Sequence, residues 1–198
     1  MTLLFFTLAG ALATFPGDEA ASETIRENQS DWLNSAALAV STLGGQSVAG
    51  ALMIGLLTLL VIARRRADAL IVFLGAAPIL AGIFLKEAVG RARPDYLIIG
   101  SEPTSLSFPS GHAQHAVVLW GFLVQAAGKH YFPAAALVFF IGLSRIYLGV
   151  HFPADVVSGW SIGFVWLMLA LYVLSLVKKG KTFLSAVPAV GVVFMITL

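Results

Sequence analysis

The segment Ser144-Arg145-Ile146-Tyr147-Leu148-Gly149-Val150-His151-Phe152-Pro153-Ala154-Asp155 places an arginine, a histidine and an aspartate between two long apolar runs. Charges at the edge of hydrocarbon are costly and face a wet cavity or one another. His151 and Asp155 are spaced by about one helical turn, a separation at which a carboxylate fixes the tautomer of an imidazole. Pro153 opens a helix and puts Asp155 in its first turn, where the helix dipole favours an ionised carboxylate. The second ring nitrogen of His151 is then free to attack phosphorus, and Arg145 offers a fork of donors suited to phosphate. A second cluster is Pro109-Ser110-Gly111-His112. Proline in the first turn of a helix would leave the amides of Ser110, Gly111 and His112 as an anion seat, with His112 beside it as a proton donor. His115, one turn further on, reads as packing or as a support behind the site residues. Two histidines with separate tasks, nucleophile and acid, are what double displacement at phosphorus requires.

A third cluster runs from Lys86 to Pro94. Lys86 and Arg93 are two helical turns apart, so they share one side if the preceding helix extends this far, with Pro94 ending it directly after Arg93. Alone, this cluster would serve equally well as an anchor reaching for lipid headgroups.

These residues need elements to hold them, and composition says which. Of 198 residues 59% are hydrophobic and 11% charged, and the apolar ones form runs as long as a bilayer is thick. That implies a polytopic membrane bundle of helices and excludes a soluble globule. A net charge of +2 is too small for nucleic-acid binding, and zero cysteines exclude thiol catalysis and disulfides. Six spans are expected: Met1 to Phe15, Val48 to Ala63, Ala69 to Leu85 with a kink at Pro78, Ala113 to Ala127, Phe132 to Leu148, and Val156 to Val177. The first lacks the basic start of a signal peptide and is read as a retained helix. Glu19, Glu23, Glu27 and Asp31 recur every four residues, which predicts a solvated amphipathic helix over 18–35, without the glycine and alternating ligands of a calcium loop. The apolar tail 182–198 is a possible seventh segment. A single membrane domain is expected over 1–198.

Arg64 to Arg66, Lys129 and the lysines at 178, 179 and 181 all fall on one face, which the positive-inside rule makes cytoplasmic. Lys86, Arg91, Arg93 and Arg145 then break that rule together on the outer face. A compact set of such cations calls for an anion.

The three segments, Lys-x6-Arg-Pro, Pro-Ser-Gly-His and Ser-Arg-x5-His-x3-Asp in this order over 86–155, resemble the signatures of the type 2 phosphatidic acid phosphatase superfamily, which includes membrane lipid phosphatases and soluble vanadium haloperoxidases. The resemblance implies an all-α core of six spans with an outward-facing site. It implies that His151 is transiently phosphorylated, that Asp155 orients it, and that His112 protonates the leaving group and later activates water. Lys86, Arg93, Ser110, Gly111 and Arg145 would hold the phosphate oxygens, with no metal and no cofactor. The implied substrate is a lipid phosphate or pyrophosphate: undecaprenyl pyrophosphate, phosphatidylglycerophosphate, phosphatidic acid or a lipid A phosphate. The short connection Asp95 to Phe108 leaves little to cap a large headgroup. Small size and absent cysteines point to a bacterial inner membrane.

Three alternatives use the same residues. His112, His115, His151 and Asp155 are the residue types of a zinc site, but the surrounding cations would repel a metal ion. A non-enzymatic anion carrier would also place cations in the membrane, yet would give paired histidines no task. A phosphotransferase would share the phosphohistidine and pass the phosphoryl group to an alcohol.

Overall fold

The computed structural model describes residues 15–75, 77–95, 105–128 and 131–179, and all regular structure among them is helical. In chain order the helices are α1 (Asp18–Glu27), α2 (Asp31–Thr42), α3 (Gln46–Ile62), α4 (Arg66–Leu74), α5 (Ala77–Val89), α6 (Gly111–Ala127), α7 (Tyr131–Tyr147) and α8 (Pro153–Lys178). The apolar tail and all of the expected first span but Phe15 lie outside the described residues, as do residues 96–104 of the connection between α5 and α6.

Asp31–Ile62 and Pro153–Lys178 are long and apolar enough to cross a bilayer, and Tyr131–Tyr147 is a shorter apolar helix. Ile54, Leu59, Ile62, Phe73, Phe84, Phe132 and Phe164 are all more than half exposed. So much outward-facing apolar surface suits lipid, not water. The chain is a polytopic membrane helical bundle, as the composition implied.

The expected outer helix over 18–35 is two elements. α1 stops at Glu27, and α2 starts after Ser30, whose amide donates to the Tyr147 hydroxyl (3.1 Å). α2, α3 and the break between them span 32 residues, Asp31–Ile62, about 48 Å if continuous against about 30 Å of hydrocarbon. The break falls at Leu43–Gly45. The break lets α2 lie along α7 at the site end while α3 runs on against α4 and α6. A Cβ on Gly44 would sit 2.4 Å from Ile141 Cγ2, so only glycine allows that crossing.

α6 is the hub, packing on α3, α5, α7 and α8. Helices in lipid gain nothing from expelling water from one another, so close backbone approach matters. Gly159 and Gly163, one turn apart on α8, provide it: a Cβ on either would meet the carbonyl oxygens of Ser110 (2.5 Å) and Gln114 (2.8 Å). This contact fixes the start of α6 against the start of α8. Towards the other end, Leu56, Leu60, Ile71, Val72, Phe122 and Leu167 form the main apolar core.

Candidate active site

Three connections meet at the end where α6 and α8 begin. α5 ends at Val89, and Gly90 turns the chain with φ +65°. Lys86 and Arg93 therefore do not share a helix face, contrary to the spacing argument, because the left-handed turn precedes Pro94 by four residues. They converge by another route. Lys86 Nζ donates to the Leu106 carbonyl (2.6 Å), and Arg93 reaches the same segment through Nε to the Ser105 carbonyl (2.7 Å) and Nη2 to Ser105 Oγ (3.1 Å). The amide of Ser107 donates to the Arg91 carbonyl (2.8 Å), tying the two arms of this connection together.

α6 begins at Gly111 with Ser110 as its cap, so Pro109 stands before the helix and not in its first turn. The Ser110 amide donates to the Asp155 carbonyl (2.9 Å), and its hydroxyl accepts from the Ala113 amide (3.5 Å). Ser110 is fully buried and does not line the pocket. The anion seat expected from three amides therefore reduces to Gly111 and His112, whose positions at the helix start leave their N–H groups without helical acceptors.

α7 ends at Tyr147, and the turn after it folds back so that the amides of Val150 and His151 both approach the Arg145 carbonyl (3.2 and 3.3 Å). His151 thus lies outside the helix that carries Asp155, and its Nδ1 is 3.6 Å from Asp155 Oδ2, too far for a hydrogen bond. Ser107, absent from the sequence reading, stands between them. Its Oγ donates to Asp155 Oδ2 (2.5 Å) and lies 3.4 Å from His151 Nδ1. Asp155 Oδ2 also accepts from the Phe152 amide (2.9 Å), the helix-start role expected of it.

Lys86, Arg93, Gly111, His112, Arg145 and His151 line one pocket of about 340 Å³, together with His115 and Gln46. His115 thus stands in the pocket wall. Arg145 Nη1 donates to Ser41 Oγ (2.5 Å), and its buried Nε has no acceptor among the described residues. Arg93 Nη1 contacts the Val150 carbonyl and lies 3.2 Å from His151 Nε2. A guanidinium can only donate, so Nε2 presents its lone pair and the ring proton sits on Nδ1, towards Ser107 and Asp155. Burial pushes the His151 ring down to about 4, against the pull of Asp155, and nearby Arg93 acts in the same direction as burial. The ring is neutral at physiological pH. Burial likewise lowers Arg93 from its ordinary value.

Beneath the pocket lies a residue that the sequence reading grouped with the outer cations without assigning it to the site. Arg91 is 6% exposed and bridges two carboxylates, Asp155 Oδ1 (2.8 Å) and Asp18 Oδ2 (2.7 Å), with its guanidinium 4.2 Å from the Phe152 ring centroid. Asp18 opens α1 and turns inward with Ser22, while Glu19, Glu23, Glu27 and Asp31 remain exposed as expected. Its position one residue before the acidic stripe, and four before Ser22, is the periodic signal for that inner face. No group of three His, Cys, Asp or Glu side chains among the described residues comes together in a metal-binding arrangement.

The arrangement gathers donors around a space fit for a tetrahedral anion, with a neutral imidazole nitrogen aimed into it. Known proteins agree with that reading. Residues 67–179 match the model of the PAP2 superfamily. The chain is 32% identical over 197 residues to the phosphatidylglycerophosphatase B of Bacillus subtilis, covering 91% of this chain and 95% of that protein. It is 36% identical over 123 residues to a decaprenylphosphoryl-5-phosphoribose phosphatase of Mycobacterium tuberculosis, covering 60% and 68%. The crystal structure of a transmembrane PAP2-type phosphatidylglycerolphosphate phosphatase from Bacillus subtilis superposes with a TM-score of 0.76 at 30% identity, covering 91% of this chain and 96% of that one. Three motifs, one pocket and a matching bundle make this chain a member of the PAP2 superfamily, an integral membrane lipid phosphatase.

Proposed function

We propose that this phosphatase hydrolyses the phosphate monoester of a glycerophospholipid, with phosphatidylglycerophosphate as its preferred substrate, on the outer face of a bacterial inner membrane. The observation that carries the reading is the shared pocket of Lys86, Arg93, Arg145, His112 and His151. The near full-length similarity to a phosphatidylglycerophosphatase supports the headgroup.

His151 Nε2 attacks phosphorus as the bond to the lipid oxygen breaks. His112, which burial and then Arg145 hold down to about 3, takes up a proton with the entering phosphate anion and gives it to that oxygen. Arg93 leaves Nε2 for an equatorial oxygen as the phosphate enters. Lys86, Arg145 and the amides of Gly111 and His112 hold the others, so charge spreading over the phosphoryl group meets donors already in place. Ser110 supports this seat by capping α6 and does not touch the phosphate. Asp155, acting through Ser107, keeps the Nδ1 proton in place, and its charge stabilises the phosphorylated ring. In the second half, His112 takes a proton from water, whose oxygen attacks phosphorus as the P–N bond breaks. The product is inorganic phosphate, and no metal takes part. The outward orientation rests on the arginines at 64–66 and Lys178 gathering at the opposite end.

The test is phosphate release by purified protein in detergent across a panel of lipid phosphates. Phosphatidylglycerophosphate should exceed undecaprenyl pyrophosphate and lipid A phosphate by at least about tenfold in kcat/KM, on the scale at which pockets discriminate. A polyprenyl substrate ranking first would overturn the headgroup assignment.

A further inference from the structure

The carboxylate that backs His151 is itself held from behind by the amino-terminal helix. Asp155 is fully buried, and both of its oxygens are taken: Oδ2 by Ser107 and the Phe152 amide, Oδ1 by Arg91. Arg91 is shared with Asp18 on α1, and Asp18 Oδ1 also accepts from the Ala154 amide (3.0 Å), a half-buried helix-start donor one residue from Asp155. The chain thus closes a ring from Asp18 through Arg91 to Asp155 and back through the backbone of α8. Arg91 is fixed further by the faces of Phe152 and Phe15, at 4.2 and 5.7 Å.

A second carboxylate is a costly way to satisfy one buried arginine, since a lone Arg91–Asp155 pair would already balance in charge. What Asp18 adds is direction. It holds the second arm of the guanidinium while the first bonds Oδ1 and, through the Ala154 amide, anchors the turn of α8 that carries Asp155. Rotation of that carboxylate would carry Oδ2 away from Ser107 and so from His151.

We propose that Asp18 and Arg91 are positioning residues for catalysis, and that α1 is a latch which sets the orientation of Asp155 and through it of His151. The inference rests on His151 and Asp155 having the roles given above. It assigns α1 a function beyond that of a solvated surface helix.

The test uses the full-length protein in detergent, with phosphatidylglycerophosphate turnover and inhibition by vanadate, a five-coordinate phosphorus mimic that binds the seat and not the latch. Arg91→Gln should lower kcat by about 10- to 100-fold, as loss of a partner behind a functional group does, with KM and vanadate inhibition changed less than about threefold. Asp18→Asn, nearly isosteric, should lower kcat in the same pattern by a smaller factor, and Arg91→Lys should fall between, since an ammonium cannot fork to two carboxylates. In an Asp155→Asn background, Arg91→Gln should cost little more, because its effect runs through Asp155. Full kcat in both Asp18→Asn and Arg91→Gln would overturn the proposal, as would penalties that multiply in the double variant. If Arg91→Gln does not yield folded protein, the Asp18→Asn kcat decides alone. Full activity of Asp155→Asn would instead refute the underlying roles of His151 and Asp155.

Discussion

The two ends of this bundle carry charge triads that mirror each other. At the site end a cation, Arg91, lies between two carboxylates, Asp18 and Asp155, with side-chain exposures of 0–6%. At the other end a carboxylate, Asp68, lies between two cations, Arg65 (3.1 Å) and Lys178 (2.8 Å), whose side chains are 39% and 48% exposed. Both tie helices together, since Arg65 also donates to the Ala126 carbonyl (3.1 Å). The difference is dielectric. Solvated pairs contribute about 0–1 kcal/mol and are screened by salt. Breaking a buried set by removing one partner costs about 3–5 kcal/mol, because a charge is left without a counterpart. A protein places its charges in the second way where orientation is needed. The same residue types form a solvent-facing clasp at one end and a buried set at the other, and on the proposal above the buried set aims Asp155.

The sharpest way to break this contrast is to neutralise one carboxylate at each end. Asp155→Asn should reduce kcat on a lipid phosphate by about 10²- to 10⁴-fold, the range seen when the carboxylate behind a catalytic histidine loses its charge. Vanadate should still inhibit, because the seat of Lys86, Arg93 and Arg145 is untouched. Loss of vanadate inhibition in parallel with rate would show that Asp155 only maintains the fold. Next comes the contact that sets the two site helices together. Gly159→Ala drives a Cβ against the Ser110 carbonyl and should destabilise by about 1–3 kcal/mol. Thermal unfolding in detergent reads this, and an unchanged Tm would mean α6 and α8 have room to separate.

A smaller effect concerns pH. The His151 ring titrates at about 4 in the folded protein, below its ordinary value of 6.5, because of burial. Between those values the unfolded chain binds a proton that the folded one does not, so stability should fall as pH drops from 6.5 towards 4 and level off below. His151→Gln should remove that contribution, and a pH dependence of Tm identical in both proteins would contradict the depressed value. The smallest effect is at the opposite end. Asp68→Asn should change stability by less than about 1 kcal/mol and leave turnover near wild type. A loss of activity there comparable to Asp155→Asn would erase the contrast between the two triads.

Much of the site could be read from sequence because its residue types are out of place in hydrocarbon. Lys86, Arg93, His112, Arg145 and His151 stood out as charges between apolar runs. Four of the six expected spans lie within single described helices, to within a residue, whereas the one expected over Ala69 to Leu85 is divided between α4 and α5. What escaped were features set by turns and by tertiary neighbours. The glycine at 90 ends α5 early, so the Lys86–Arg93 spacing did not mean a shared helix face. Pro109 looked like a helix start, whereas the cap is one residue later, and Ser110 spends its amide on Asp155. Ser107 and Asp18 have short side chains with many possible roles, and only the folded neighbourhood of Asp155 gives them one. Arg91 was visible as an outer cation, yet its burial between two carboxylates depends on α1 folding back from over 70 residues away.

The central claim is that His151 Nε2 is the atom that accepts the phosphoryl group. Mixing the enzyme with a lipid substrate labelled in its phosphate, quenching within milliseconds in alkali and mapping the label by mass spectrometry tests it directly. The account predicts an acid-labile, base-stable phosphoryl group on His151, absent from His151→Ala. Label on His112, or steady turnover by His151→Ala, would contradict it.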